Sequence, residues 1–213
     1  MIVSPGRTYI FVHIPKTGGT SLAAALEDRA MADDILIGDT PKAVKRRARV
    51  KALQDRAPGR LWKHSTLRDI DGLFDLDGFR VVTLVRNPWD RLVSYYHWLR
   101  EQSFDHAAVR AAKEMAFEAF LRDPVQAGGI EAHPAASYVT DNAGEIRCDW
   151  FLRLEHLADD LAGFEAHLGF KLEVGHLNRS ARDRDYRSYY DDGLRDHVAR
   201  IARADIERFG YEF

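Results

Sequence analysis

Tyr9-Ile-Phe-Val-His-Ile-Pro-Lys-Thr-Gly-Gly-Thr-Ser21 is the stretch on which the reading of the fold turns. Its first six residues are β-branched or aromatic for the most part, too short a run for a helix, and Pro15 to Gly19 stop it, so it reads as a buried strand ending in a turn. Ser21 to Arg29 then follows a helical pattern, with Leu22, Ala25 and Leu26 on one face. Between strand and helix the residues suit an anion. Gly18 and Gly19 let the backbone approach without Cβ interference, and the helix start presents N–H groups and the positive end of its dipole. Thr17, Thr20 and Ser21 add hydroxyls, and Lys16 adds a full positive charge. A plain Gly-Gly turn would account for the glycines but not for the lysine and three hydroxyls gathered with them. The G-x-x-x-x-G-K-[ST] loop of nucleoside triphosphatases is a different pattern: here the lysine precedes the glycines, and no strand obviously ends in a magnesium-binding aspartate, which disfavours triphosphate chemistry.

Working outward, Phe79 to Val85 is a second buried-strand pattern. Asn87-Pro88 stops it, and a helix from about Pro88 to Glu101 follows with Leu92, Val93, Tyr96 and Leu99 as its apolar stripe. Trp150 to Leu154 is a third, followed by a helix in which Leu157, Leu161, Phe164 and Leu168 recur before Gly169, a C-cap candidate. Strands apolar on both faces and alternating with helices imply α/β architecture, a central parallel sheet flanked by helices. At 213 residues the chain suits a single domain spanning 1–213. Met1 to Val12 reads as one buried strand, too short to cross a membrane and leading into the loop rather than into a cleavage site. Arg195 to Phe209 reads as one closing helix. Asp205 falls on its inward stripe, where a carboxylate needs an arginine or a backbone donor.

Three stretches are less regular. Gln126 to Ser137, rich in Gly, Ala and Pro, reads as a loop, and Leu177 to Tyr190 is polar and arginine-rich. Pro41 to Arg60 is strongly basic, either a solvated helix or loop, or a lid or wall that attracts an anionic acceptor.

Composition narrows the function classes. A net charge of −2 lacks the basic footprint of a nucleic-acid binder, so any positive site must be local. Cys148 is the only cysteine, which excludes an intramolecular disulfide and makes a cytoplasmic location the default expectation. The nine histidines include no H-E-x-x-H, and there is no cysteine pair, so no metal is implied.

The second strand-to-helix unit offers another anion site. Arg86 lies where its strand ends, and ligands of parallel sheets sit beside the carboxyl ends of strands. Ser94, two turns into the helix, is on a face that could look back towards it. An arginine here is a structural ion-pair member about as readily as a ligand, and Asp90 and Arg91 could form a surface pair. Trp89, Tyr95 and Trp98 read as core or cleft wall rather than as a platform for a base. Ser65 or Thr66 could cap a helix, with Asp69 completing a capping box for Thr66. That would leave His64 at a helix entrance, either as a general base or as a partly buried structural residue.

His13-Ile-Pro-Lys-Thr-Gly-Gly-Thr-Ser21 together with Val85-Arg-Asn-Pro-Trp-Asp-Arg-Leu-Val-Ser-Tyr-Tyr96 resembles the sulfotransferases that use 3′-phosphoadenosine 5′-phosphosulfate (PAPS), particularly the carbohydrate branch and its bacterial relatives. Lys63-His-Ser-Thr66, Arg153-Leu-Glu155, His176-Leu-Asn-Arg-Ser180 and Phe209-Gly-Tyr-Glu-Phe213 extend the likeness in order along the chain. The resemblance implies a P-loop-like sulfotransferase fold. Lys16, Thr17, Gly18, Gly19, Thr20 and Ser21 would bind the 5′-phosphosulfate, and Arg86 and Ser94 the 3′-phosphate. It further implies PAPS as donor, PAP as product, no metal, and a hydroxylated acceptor of glycan or glycolipid type. Lys16 would stabilise the departing phosphate, and His64 is the candidate general base, with Glu or Asp bases known in related enzymes. Arg182 and Arg184 are further phosphate candidates by composition alone. Eukaryotic members usually sit in the Golgi behind a membrane anchor, which this chain lacks, pointing to a soluble bacterial-type enzyme.

Overall fold

The computed structural model describes residues 1–175, 183 and 185–213. In chain order it contains β1 (Ile2–Ser4), β2 (Tyr9–Val12), α1 (Gly19–Asp28), β3 (Ile35–Leu36), α2 (Pro41–Gln54), α3 (Leu67–Ile70), β4 (Arg80–Val85), α4 (Pro88–Arg100), α5 (Ala107–Glu114), α6 (Phe117–Arg122), α7 (Pro124–Ala132), α8 (Ala135–Tyr138), β5 (Trp150–Arg153), α9 (Leu157–Leu168), α10 (Asp192–Ile201) and α11 (Arg203–Phe209). The architecture is α/β. The chain divides into two compact units: residues 1–85 with the described residues of 135–175, and residues 86–134 with the described residues from 183 onward.

The first unit holds the sheet, whose order among the described residues is β3-β1-β2-β4-β5. The three strands expected from the sequence are parallel neighbours, Val12 pairing with Thr83 and Thr83 with Phe151. They form the expected parallel centre, and the sheet as a whole is mixed. β1 runs antiparallel to β2 and to β3. The single strand expected over Met1–Val12 is a tight hairpin instead. Pro5, Gly6 and Arg7 form a helical turn, and Thr8 closes it in the left-handed region at φ 50°. Pro-Gly is itself a turn signal, so the break was written locally.

Alternation within the strands covers both faces, as buried parallel strands require. Tyr9 and Phe11 pack with Leu22 and Leu26 of α1 and Phe164 and Leu168 of α9. Ile10 and Val12 face the other way, with Leu61, Leu67, Ile70 and Val139. Helix α9 ends on Gly169 in the left-handed conformation, the expected C-cap.

The basic stretch is the helix α2, entered through Thr40, whose hydroxyl caps Ala43 N–H at 3.1 Å and donates to Glu27 at 2.6 Å. One row of its cations fastens it down. Lys42 donates to the Glu27 carbonyl, Arg46 to the Met31 carbonyl at 2.7 Å, and Arg49 to the carbonyls of Ala32 and Asp34.

The second unit is helical, built on Trp89, Leu92, Tyr96, Phe120, Leu194 and Val198. Trp89 belongs to this core, its indole N–H donating to the Arg195 carbonyl at 3.1 Å. Residues 126–137 are mostly helical rather than a loop. Asp123 caps α7 through Val125 and Gln126, and Pro124 starts it, so the local start signal outweighs Gly128 and Gly129. The closing helix is two, α10 and α11, broken at Ala202. Asp205 is buried and pairs with Arg91 at 3.7 Å, the arginine partner its position called for. Among the described residues no helix is long and apolar enough to cross a membrane.

Candidate anion cradle and base

The loop between β2 and α1 is strained where the chemistry is expected. Lys16 has φ 66°, a left-handed conformation that a non-glycine residue adopts at a cost of about 1–3 kcal/mol, and Gly18 follows at φ 85°. Gly18 is the N-cap of α1 and so brings no side chain to the first turn, which also lacks an acidic residue. The first turn thus sets no carboxylate of its own against the N–H groups that begin the helix, and an anion suits them. Thr17 is 1% exposed, and its hydroxyl proton is committed to the Ile14 carbonyl at 2.9 Å. What Thr17 can offer a ligand is its backbone N–H, while its side chain staples the turn. Thr20 is half-buried and Ser21 buried on the first turn of α1.

His13 links this cradle to His64. Its ring is packed so closely on Gly19 that a Cβ there would stand 2.3 Å from the imidazole Cδ2. It also stacks on Phe11 and meets the His64 ring edge-on, with centroids 4.7 Å apart. The His13 carbonyl lies 2.7 Å from His64 Nδ1. A carbonyl only accepts, so Nδ1 carries the hydrogen, and Nε2 of the neutral ring carries the lone pair. Burial pushes the His64 pKa down to about 4 and that of His13 well below the ordinary histidine value, so both rings are uncharged at neutral pH. The capping box at Thr66 is present, Asp69 accepting the Thr66 N–H at 2.7 Å. Gly19→Ala should therefore push the His13 ring aside and disturb His64 with it. A stability loss of about 1–3 kcal/mol, measured by urea denaturation, is expected along with impaired turnover.

At the neighbouring strand end, Arg86 follows β4 directly and donates Nε and an Nη to Asp90 at 2.8 and 2.7 Å. Its side chain is 12% exposed. Asp90 thus pairs with Arg86 and Arg91 with Asp205, rather than Asp90 with Arg91. Asn87 caps α4, accepting from Trp89 N–H, and donates to the Glu212 carbonyl at 2.8 Å. The start of α4 is thereby capped by its own side chain, unlike that of α1. Ser94 is buried in α4, 5% exposed. The carboxyl ends of β2 and β4 are side by side in the sheet, so the Lys16 loop and the chain entering Arg86 leave the same edge.

Sequence reasoning missed Asp90 as the partner of Arg86, although i,i+4 spacing is the signal for such a pair. It also missed the link from His13 to His64, which spans 51 residues and has no local signature. Arg153 is held by Asp160, donating its backbone N–H at 2.8 Å and its guanidinium at 2.9 and 2.7 Å. His176 to Ser180, Arg182 and Arg184 lie outside the described residues. Among the described residues no cluster of three or more His, Cys, Asp or Glu side chains has the arrangement of a metal site.

No curated protein matches the chain. It is similar to mouse sulfotransferase SULT7A1, whose crystal structure is a complex with PAP, at 16% identity and a TM-score of 0.47 over 97% of this chain and 86% of that one. A family model described as the sulfotransferase family matches residues 1–212, almost the whole length. The chain therefore belongs to the sulfotransferase family.

Proposed function

We propose that this sulfotransferase moves a sulfuryl group from PAPS to a hydroxyl of a glycan or glycolipid, with residues 1–213 acting as one catalytic domain. The observation that carries the reading is the shared position of His13, whose ring backs Gly19 of the anion cradle while its carbonyl orients His64. One residue thereby registers a cationic, helix-capped loop against a neutral imidazole. The donor set suits the 5′-phosphosulfate: Lys16, the backbone of Gly18 and Gly19, and Thr20 and Ser21 at the uncapped start of α1. Arg86, with Ser94, is assigned the 3′-phosphate, and Asp90 orients its guanidinium.

The donor supplies an electrophilic sulfur and a phosphate leaving group; sulfur gains a bond to the acceptor oxygen as its bond to the phosphate oxygen breaks. The hydroxyl proton goes to His64 Nε2. Lys16 neutralises charge that collects on the departing phosphate. His64 is a weak base in the ligand-free protein because burial penalises its cation, and an anion in the cradle favours imidazolium as the proton arrives.

Calorimetric titration with PAP, with ATP plus magnesium and with adenosine 5′-phosphate tests the assignment. PAP is expected to bind without metal and ATP to bind poorly; the reverse order would make the loop an unusual kinase site. Arg86→Ala should weaken PAP by about tenfold or more while leaving adenosine 5′-phosphosulfate, which lacks the 3′-phosphate, nearly unaffected. Equal losses for both ligands would remove Arg86 from the 3′-phosphate.

A further inference from the structure

Of the six cations of α2, three are used by the fold and two others share a recess. Lys42, Arg46 and Arg49 are spent on backbone carbonyls, as described above. Arg47 and Lys51, one turn apart on the adjoining face, line a recess of about 730 Å³. Both are exposed, and neither makes an ion pair or side-chain hydrogen bond among the described residues. Leu36, Ile37 and Leu61 give the recess an apolar floor, and Trp62 and Lys63 line it where the chain runs on into His64.

Charge and shape together specify an occupant. The lining carries three cations, Arg47, Lys51 and Lys63, against one carboxylate, Asp39. Asp39 is already matched by Lys63 at 2.6 Å; burial alone would raise its pKa, but the hydrogen bond and charge of Lys63 hold it below the usual carboxylate value. The surplus is therefore Arg47 and Lys51. Trp62 is 44% exposed, an unusual state for so large an apolar surface, and its ring meets His64 edge-on with centroids 5.0 Å apart. Arg60 lies over the same indole at 5.7 Å. The volume lies within the roughly 300–1,000 Å³ of small-molecule sites, enough for a disaccharide.

We infer that this recess is the acceptor site and that it takes an acidic saccharide, in which a pyranose ring lies against Trp62, a carboxylate or sulfate meets Arg47 and Lys51, and a hydroxyl is offered to His64. The inference rests on the proposed sulfuryl transfer for the role of His64, but not for the binding itself. An acidic saccharide suits what the recess offers, an aromatic face for the C–H side of a sugar and a guanidinium fork with an ammonium for an anion, while the His64 ring lies outside the lining, edge-on to Trp62. A neutral sugar would leave Arg47 and Lys51 unused, and a lipid chain would meet an apolar floor rimmed by cations.

The test titrates the full chain, with and without PAP, against a hyaluronan tetrasaccharide, which carries carboxylates, and against chitotetraose, which carries none. The expected result is that hyaluronan binds at least about tenfold more tightly than chitotetraose, and that Arg47→Glu with Lys51→Glu removes this preference while PAP affinity stays within about twofold. Trp62→Ala should weaken both sugars. Equal binding of the two sugars, no binding of hyaluronan, or a loss of PAP affinity in the charge-reversal variant would each overturn the inference, the last by showing that the recess serves the donor. Failure of the donor reading shows separately, as absent PAP binding to the wild-type chain. Because both reversed positions are exposed, an unchanged thermal melt is expected to confirm that the variant is folded.

Discussion

Replacing His64 with alanine is expected to lower turnover of a proven hydroxyl acceptor by about 10²–10⁴-fold, the usual contribution of a positioned general base, while PAP affinity stays close to that of the wild type. The imidazole is held with Nδ1 on the His13 carbonyl and Nε2 bearing the lone pair, so its removal costs the proton acceptor while every donor of the cradle is kept. Added imidazole should restore part of the lost rate, which a purely structural role would not allow. The pH dependence is a second signature. Burial lowers the His64 pKa to about 4, so the unliganded enzyme keeps its base uncharged well below the ordinary histidine value. The acid limb of kcat/KM, which reports free enzyme, should therefore fall near pH 4 rather than near 6.5. Stability follows the same sign: the unfolded chain takes up this proton first, so the contribution is present above about 6.5 and is lost as pH falls towards 4. Turnover unchanged in the alanine variant would remove His64 from the mechanism.

Lys16→Ala should lower kcat by about 10²–10³-fold, in the range found when a single donor to a developing anion is removed. Lys16 is also one of two non-glycine residues with positive φ among the described residues, the other being the hairpin residue Thr8. Strain of this kind persists only where the surroundings impose it, and here the stapled Thr17 hydroxyl and the cap at Gly18 do so. The two roles of Lys16 separate experimentally. Lys16→Gly should be as inactive as Lys16→Ala yet more stable by roughly 1 kcal/mol, because glycine adopts the left-handed region without a Cβ penalty. A melting comparison beside single-turnover rates checks both halves. If Lys16→Ala retained full activity, charge neutralisation would have to be reassigned to other residues.

Much of this arrangement was written locally. The parallel direction of β2, β4 and β5 followed from three apolar runs that each lead into a helix, and the Lys16 loop announced itself because a lysine, two glycines and three hydroxyls between strand and helix serve no packing purpose together. The capping box at Thr66 and the C-cap at Gly169 are short-range patterns of the same kind. Misreadings arose where two local signals competed: Pro5-Gly6 against an apolar run, and Asp123-Pro124 against Gly128-Gly129.

What the sequence determined by itself is whatever depends on neighbours in the chain: strand and helix periodicity, loop chemistry, caps, and through the motifs the family. The tertiary structure alone decided which distant groups meet. That His13 orients His64, that Asp205 answers Arg91, and that Arg47 and Lys51 face a recess while Arg46 and Arg49 are tied to carbonyls depends on tertiary packing within each unit. Hydrogen bonds and charges act over a few ångströms of space regardless of separation along the chain, so a 51-residue link leaves no trace in local pattern.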